Sequence, residues 1–127
     1  MNLLDLVSKE PVTCSPNEPL KNVVQLMAKN DVGSVVVVEG GRAVGIFTER
    51  DLVKALASGA SLEEPVSKYM STELVSANPN ESVESALAKM MRYNIRHLPI
   101  VAEDGRLLGI VSIRDLVEAL AESLALL

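Results

Sequence analysis

The chain writes one strand-to-helix junction twice. GIFTERDLVKAL runs from Gly45 to Leu56 and GIVSIRDLVEAL from Gly109 to Leu120, identical at eight of twelve positions. The repetition reaches well beyond the junction. A shift of 63 places pairs VTCSPNEPL (12–20) with VSANPNESV (75–83), and after one inserted residue a shift of 64 pairs GRAVGIFTERDLVKAL with GRLLGIVSIRDLVEAL. Two copies are too few for a solenoid. A unit of about fifty residues buries too little surface to stand alone. The repeat therefore predicts a pseudo-two-fold pair in which each half covers the other's apolar face.

Both copies read as β-α-β-β-α. A short extended piece (Val12-Thr13; Val75-Ser76) leads through a Pro-Asn-Glu turn into an amphipathic helix. Leu20, Val23, Val24 and Met27 recur at helical spacing, as do Val83, Ala86, Leu87 and Met90. Ser82 suits an N-cap, and Pro19 is tolerated at a helix start. SVVVVE (34–39) and LPIVAE (98–103) lack polar alternation, as strands covered on both faces do. Gly40-Gly41 and Asp104-Gly105 are hairpin turn signals before second strands at Ala43–Phe47 and Leu107–Val111. Final helices follow from Asp51 and Asp115, with Leu52, Val53 and Leu56, or Leu116, Val117 and Leu120, on the apolar stripe. The expected fold class is α+β, with repeat 1 at 8–60, a linker at 61–70 and repeat 2 at 71–124, packed sheet to sheet.

Composition narrows what such a pair can do. Net charge is −5 and pI about 4.9, against nucleic acid as a partner, because phosphate neutralisation needs clustered Lys and Arg. The lone Cys14 excludes an internal disulfide and fits a reducing cytoplasm. MNLLDLVSKE lacks the pattern of a signal peptide, and no run is long enough to span a membrane. His97 is the sole histidine, so no metal-ligand cluster is expected. Glu63-Glu64 read as solvated charge, GGRAVG (40–45) as a hairpin rather than a phosphate loop, and no catalytic triad can be assembled. Catalysis is not expected.

The junction has two readings that share atoms. In TERD (48–51) and SIRD (112–115) the hydroxyl residue falls at the N-cap and the Asp at N3, which capping alone explains, each contact being worth about 1 kcal/mol. The same helix start attracts phosphate, helped by Arg50 or Arg114. Its carboxylate can accept both hydrogens of a ribose cis-diol. Together these describe a nucleoside phosphate.

The doubled β-α-β-β-α unit, the G-I-F-T-x-R-D-L and G-I-V-S-x-R-D-L motifs and R-H-L-P-I-V (96–101) resemble the CBS domain family in the tandem arrangement called a Bateman module, over roughly residues 5–124. The resemblance implies adenosine ligands (AMP first, also ADP, ATP or S-adenosylmethionine) held in clefts between the repeats. Carried over by position, one cleft would use Ser112, Arg114 and Asp115 with Val12, Val32, Gly33 and Ser34. The other would use Thr48, Arg50 and Asp51 with Met70, Val75, Ile95, Arg96 and His97; Pro99 follows these basic residues in the same motif. Arg96 and His97 match phosphate contacts of the family and can serve either cleft. The first repeat has Gly33 and Ser34 in their place and lacks the Pro, so unequal clefts are expected, with occupancy favoured at Asp115.

LLDLV (3–7) and the stripe Leu116, Val117, Leu120, Leu124 and Leu127 are more apolar than exposed ends should be. Part is expected to cover the core and part to meet a second chain, in line with the homodimers of the family. The overall expectation is a stand-alone cytoplasmic sensor with no catalytic cofactor, acting on a separate effector protein. A structural dimerisation module with empty clefts is the alternative.

Overall fold

The computed structural model describes residues 2–7 and 9–125, and these divide into two compact units, one of residues 11–74 and the other of residues 2–7, 9–10 and 75–125. In the first, β1 (Thr13–Cys14) leads to α1 (Leu20–Asn30), then β2 (Ser34–Glu39), β3 (Arg42–Thr48) and α2 (Glu49–Ala57). The sheet order is β1-β2-β3, with β1 parallel to β2 and β2 antiparallel to β3. Gly40 and Gly41 form the two-residue turn at φ +60° and +79°, the left-handed geometry that a tight hairpin needs. α1 buries Leu20, Val23 and Met27 against Val35, Val37 and Phe47, as its apolar spacing predicts. Phe47, the only phenylalanine, is fully buried, worth about 1.5–3 kcal/mol.

The second unit repeats this plan with α3 (Val83–Tyr93), β4 (His97–Val101), β5 (Leu107–Ser112) and α4 (Ile113–Ala125). Ser82 caps α3, its Oγ accepting Ser85 N at 3.0 Å. The strand expected at Val75-Ser76 contracts to a single parallel bridge between Ala77 and Ile100, so this sheet has two strands. Glu81 ties the Pro-Asn-Glu turn to α3 by accepting Lys89 Nζ at 2.9 Å and Ser85 Oγ at 2.9 Å. Burial pushes the Glu81 carboxyl up, but these hydrogen bonds outweigh it and hold it below its ordinary value. The repeat persists in fine detail. Both first helices end in a left-handed residue, Asp31 (φ 52°) and Asn94 (φ 53°), residue types that tolerate that region. Each hairpin carries an irregularity at the same place, Val37/Val38 and Ile100/Val101.

Two segments are placed differently from expectation. Residues 61–70, read as a linker, are part of the first unit: Val66 is fully buried and Tyr69 and Met70 pack on the core. Pro19 bridges Pro65, and Ser71 bridges Ile46. Glu64, read as solvated, accepts the Tyr69 hydroxyl and pairs with Lys68 at 3.0 Å, and these bonds hold its carboxyl down at about 2. The opening segment belongs to the core of the other repeat: a 3-10 turn at Leu3–Leu6 buries Leu3 completely beside Leu98 and Leu116, with Leu3 N donating to Glu81 O at 3.0 Å. Each repeat's leading segment thus completes the core of the unit to which the other repeat's strands belong.

Not every apolar residue of the stripes faces inward. Leu52 and Leu116 pack as expected, but Val53, Leu56, Val117 and Leu124 are 66, 52, 53 and 68% exposed. Leu120 lies partly buried and Leu127 outside the described residues. Among the described residues no helix is long and apolar enough to cross a membrane.

Candidate functional site

Each β-to-α corner is built by a strand ending in a hydroxyl residue whose extended backbone hands over to a helix. At the first, Thr48 Oγ1 accepts Asp51 N at 3.3 Å, and Asp51 Oδ2 accepts Thr48 N at 2.9 Å and Thr48 Oγ1 at 3.1 Å, a reciprocal capping box. At the second, Ser112 Oγ accepts Asp115 N at 3.2 Å and Asp115 Oδ2 accepts Ser112 N at 2.8 Å. The capping reading is therefore present in both copies. It engages Oδ2 and leaves the other oxygen, Oδ1, for a different partner. At the first corner Oδ1 accepts Ser71 Oγ at 3.2 Å. Ser71 is a contact that sequence reading missed, twenty residues away from Asp51.

The strand pairing then decides what stands beside each carboxylate. His97 pairs with Ser112, and Ile113 N donates to Arg96 O at 2.8 Å. Arg96, exposed, and His97, half-buried, thus share the end of the hairpin with Ser112 and Asp115. In the other unit Ser34 pairs with Thr48, and Glu49 N donates to Gly33 O at 3.1 Å. Buried Ser34 and half-buried Gly33 therefore stand at the hairpin end that carries Thr48, where the second repeat has its basic pair. The two corners share a backbone plan and differ in charge.

The remaining expected site residues fall as follows. Arg50 and Arg114 are exposed on the first helical turn, and Arg114 Nε donates to Glu118 at 3.1 Å along its own helix, an exposed pair worth little. Val12 donates no side-chain chemistry; its carbonyl accepts Val36 N at 3.0 Å, tying the start of the sheet. Val32 and Ile95 follow the left-handed helix ends, their N–H groups returning to Met27 and Met90. Met70, Val75 and Ile95 are partly buried against the cores of their own units, and Pro99 is buried in β4. A groove of about 330 Å³ on the first unit, lined by Thr13, Cys14, Glu18, Asn22 and Lys29 among others, includes none of the corner residues. Cys14 is free and buried there, and burial, then the neighbouring Glu18, pushes its thiol up to about 11.

The CBS domain model matches the sequence twice, over residues 3–58 and 66–122. The chain belongs to the CBS domain family. Both matched segments begin at the leading turns that carry Leu3 and Val66. The CBS domain-containing protein YhcV of Bacillus subtilis is 42% identical over 113 residues, covering 88% of this chain and 80% of that protein. A CBS domain protein of Pyrobaculum aerophilum, solved in complex with AMP, has a TM-score of 0.86 at 30% identity, covering 91% of this chain and 89% of that one. The CBS domain pair of protein MJ0100, solved with 5′-methylthioadenosine and S-adenosyl-L-methionine, has a TM-score of 0.89 at 27% identity, covering 97% and 98%. The CBS pair described here thus shares its fold with pairs that hold adenosine compounds.

Proposed function

We propose that this CBS pair is a regulatory module that binds an adenine nucleotide, AMP first and ADP or ATP after it, and modulates a separate effector protein without catalysis. The observation that carries the reading is the Ser112–Asp115 corner, where one hairpin end carries the capping carboxylate together with the Arg96-His97 pair. In this reading Asp115 accepts from the ribose and Arg96 and His97 face the phosphate. Arg keeps its charge at any working pH and suits a phosphate group. Asp51, flanked by Gly33 and Ser34, is the weaker ribose acceptor. Ligand-bound relatives, with AMP in the Pyrobaculum protein, support the ligand class.

S-adenosylmethionine is the second reading, favoured by the ligands of the MJ0100 pair. Arg96 tells against it, since a sulfonium gains nothing from a neighbouring cation. Calorimetric titration separates the two: Arg96→Ala weakens AMP at least tenfold and leaves adenosine within about twofold. Equal losses for both ligands count against a phosphate role. A thermal-shift panel with AMP, ADP, ATP and S-adenosylmethionine tests the reading as a whole, because ligand at about 100 Kd adds roughly 2.7 kcal/mol of stability. Unchanged melting with all four would leave a structural module. We further propose a homodimer that covers the exposed Val53, Leu56, Val117 and Leu124, in a reducing cytoplasm; sedimentation showing a monomer at 50–100 µM (on the order of ordinary assay concentrations) would remove that part.

A further inference from the structure

Asp51 carries a hydrogen-bond partner on each of its two oxygens, and this has a chemical consequence. A carboxylate offers about four acceptor positions. At Asp51, Oδ2 accepts both Thr48 N and Thr48 Oγ1, and Oδ1 accepts Ser71 Oγ, so the described residues take three positions. A ribose cis-diol brings two donors to the single position left. The Thr48 bonds hold the helix start and cannot be given up cheaply. Ser71 can yield, because its side chain is exposed and its hydroxyl can turn to water. Its backbone cannot: Ser71 N donates to Ile46 O at 2.9 Å, Ile46 N donates to Ser71 O at 3.0 Å, and Met70 beside it packs over Gly45. The hydroxyl is thus held next to Asp51 by the fold and only its own rotation is free.

We infer that Ser71 sets the sugar specificity of the Asp51 corner: it competes with the second hydroxyl of a ribonucleotide and leaves a 2′-deoxyribonucleotide unaffected. This rests on the nucleotide reading above and concerns Asp51 alone; Ser8, which stands 63 places before Ser71, lies outside the described residues. A ribose must displace the Ser71 bond to make both of its own, so its second hydroxyl contributes little net affinity. A deoxyribose presents one hydroxyl and fits the open position without displacement. The corner therefore discriminates weakly between the two sugars, and removing the Ser71 hydroxyl makes it discriminate strongly.

The test is calorimetric titration of AMP and 2′-deoxy-AMP into Asp115→Asn protein, in which Asp51 is the ribose acceptor that remains, with and without Ser71→Ala. AMP tightens about fivefold on Ser71→Ala while 2′-deoxy-AMP moves less than twofold, and Ser71→Thr, which keeps the hydroxyl, behaves as the parent. Should Asp115→Asn fail to fold, the same comparison in the wild-type chain shows the change at one of two sites, and Asp51→Asn removes it. AMP affinity that Asp51→Asn lowers but Ser71→Ala leaves unchanged or weakens overturns the inference alone. So does AMP binding to wild type that vanishes in Asp115→Asn. No AMP binding to the wild-type chain overturns this inference and the nucleotide reading together.

Discussion

Gly109→Ala tests how the opening segment is held. Gly109 is buried in β5 opposite Ile100, and a Cβ placed on it would lie 2.8 Å from Val7 Cγ2 and 3.1 Å from Cγ1. Carbon atoms in good contact stand about 3.5–4.0 Å apart, so the segment must retreat by about 1 Å. Val7 cannot turn aside, because both of its methyl groups already face the intruding atom and its χ1 is stiff. The segment resists moving because Leu3 is fully buried and Leu3 N is bonded to Glu81 O. Overpacking of this kind costs about 1–3 kcal/mol. For a chain of this size that lowers Tm by about 4–12 °C, read by circular dichroism. If the segment detaches altogether, losing Leu3 brings the cost to about 2–5 kcal/mol. Val7→Ala removes both clashing methyls, and the new Cβ of Gly109→Ala then fills the space, so the double variant is more stable than the two single effects summed by about 1–3 kcal/mol. Gly45→Ala is the control: its Cβ meets Met70 Sδ at 2.7 Å, the far part of a flexible side chain, and costs less. An unchanged Tm for Gly109→Ala, or additive effects in the double variant, would refute the packing of the opening segment against β5.

Asp115→Asn and Asp51→Asn each weaken a capping box, so each lowers urea-unfolding stability by about 1 kcal/mol in the absence of ligand; a loss above 4 kcal/mol would mean the carboxylates carry the fold rather than the helix start. The folded carboxyl of Glu81 lies below its ordinary 4.5, so the unfolded chain binds its proton first: the pair with Lys89 adds stability above pH 4.5 that disappears as pH falls through the folded value. Glu81→Gln therefore flattens the acid limb of a stability–pH curve and leaves an identical slope only if the pair is inert. Cys14, buried with its thiol pushed up to about 11, reacts with a disulfide reagent at pH 8 only as fast as the unit opens; immediate stoichiometric reaction of the native chain would contradict its burial.

Much was legible in the residues because it depends on near neighbours. Helical spacing places α1 and α3, an unbroken apolar run and the Gly40-Gly41 turn place β2 and β3, and Thr48 or Ser112 three residues before an Asp writes a cap whose partners lie within one turn. The left-handed ends at Asp31 and Asn94 went unread, although the aligned Asp and Asn before Val32 and Ile95 carried that signal. Which part of each stripe turns inward, Leu52 and Leu116 rather than Val53, Leu56 and Val117, was not legible, because a stripe of apolar residues states a face and not what covers it.

Duplication, element order and both capped corners follow from the order of residues alone, since periodicity, turn chemistry and caps act over a few bonds. Tertiary structure decided the rest. It chose which core takes Leu3 and which takes Val66, shrank the strand at 75–76 to a bridge at Ala77, paired His97 with Ser112 and put the Ser71 hydroxyl on Asp51. Those contacts join residues far apart along the chain. They are set by where the backbone has to travel to bury its apolar surface, which no local preference records.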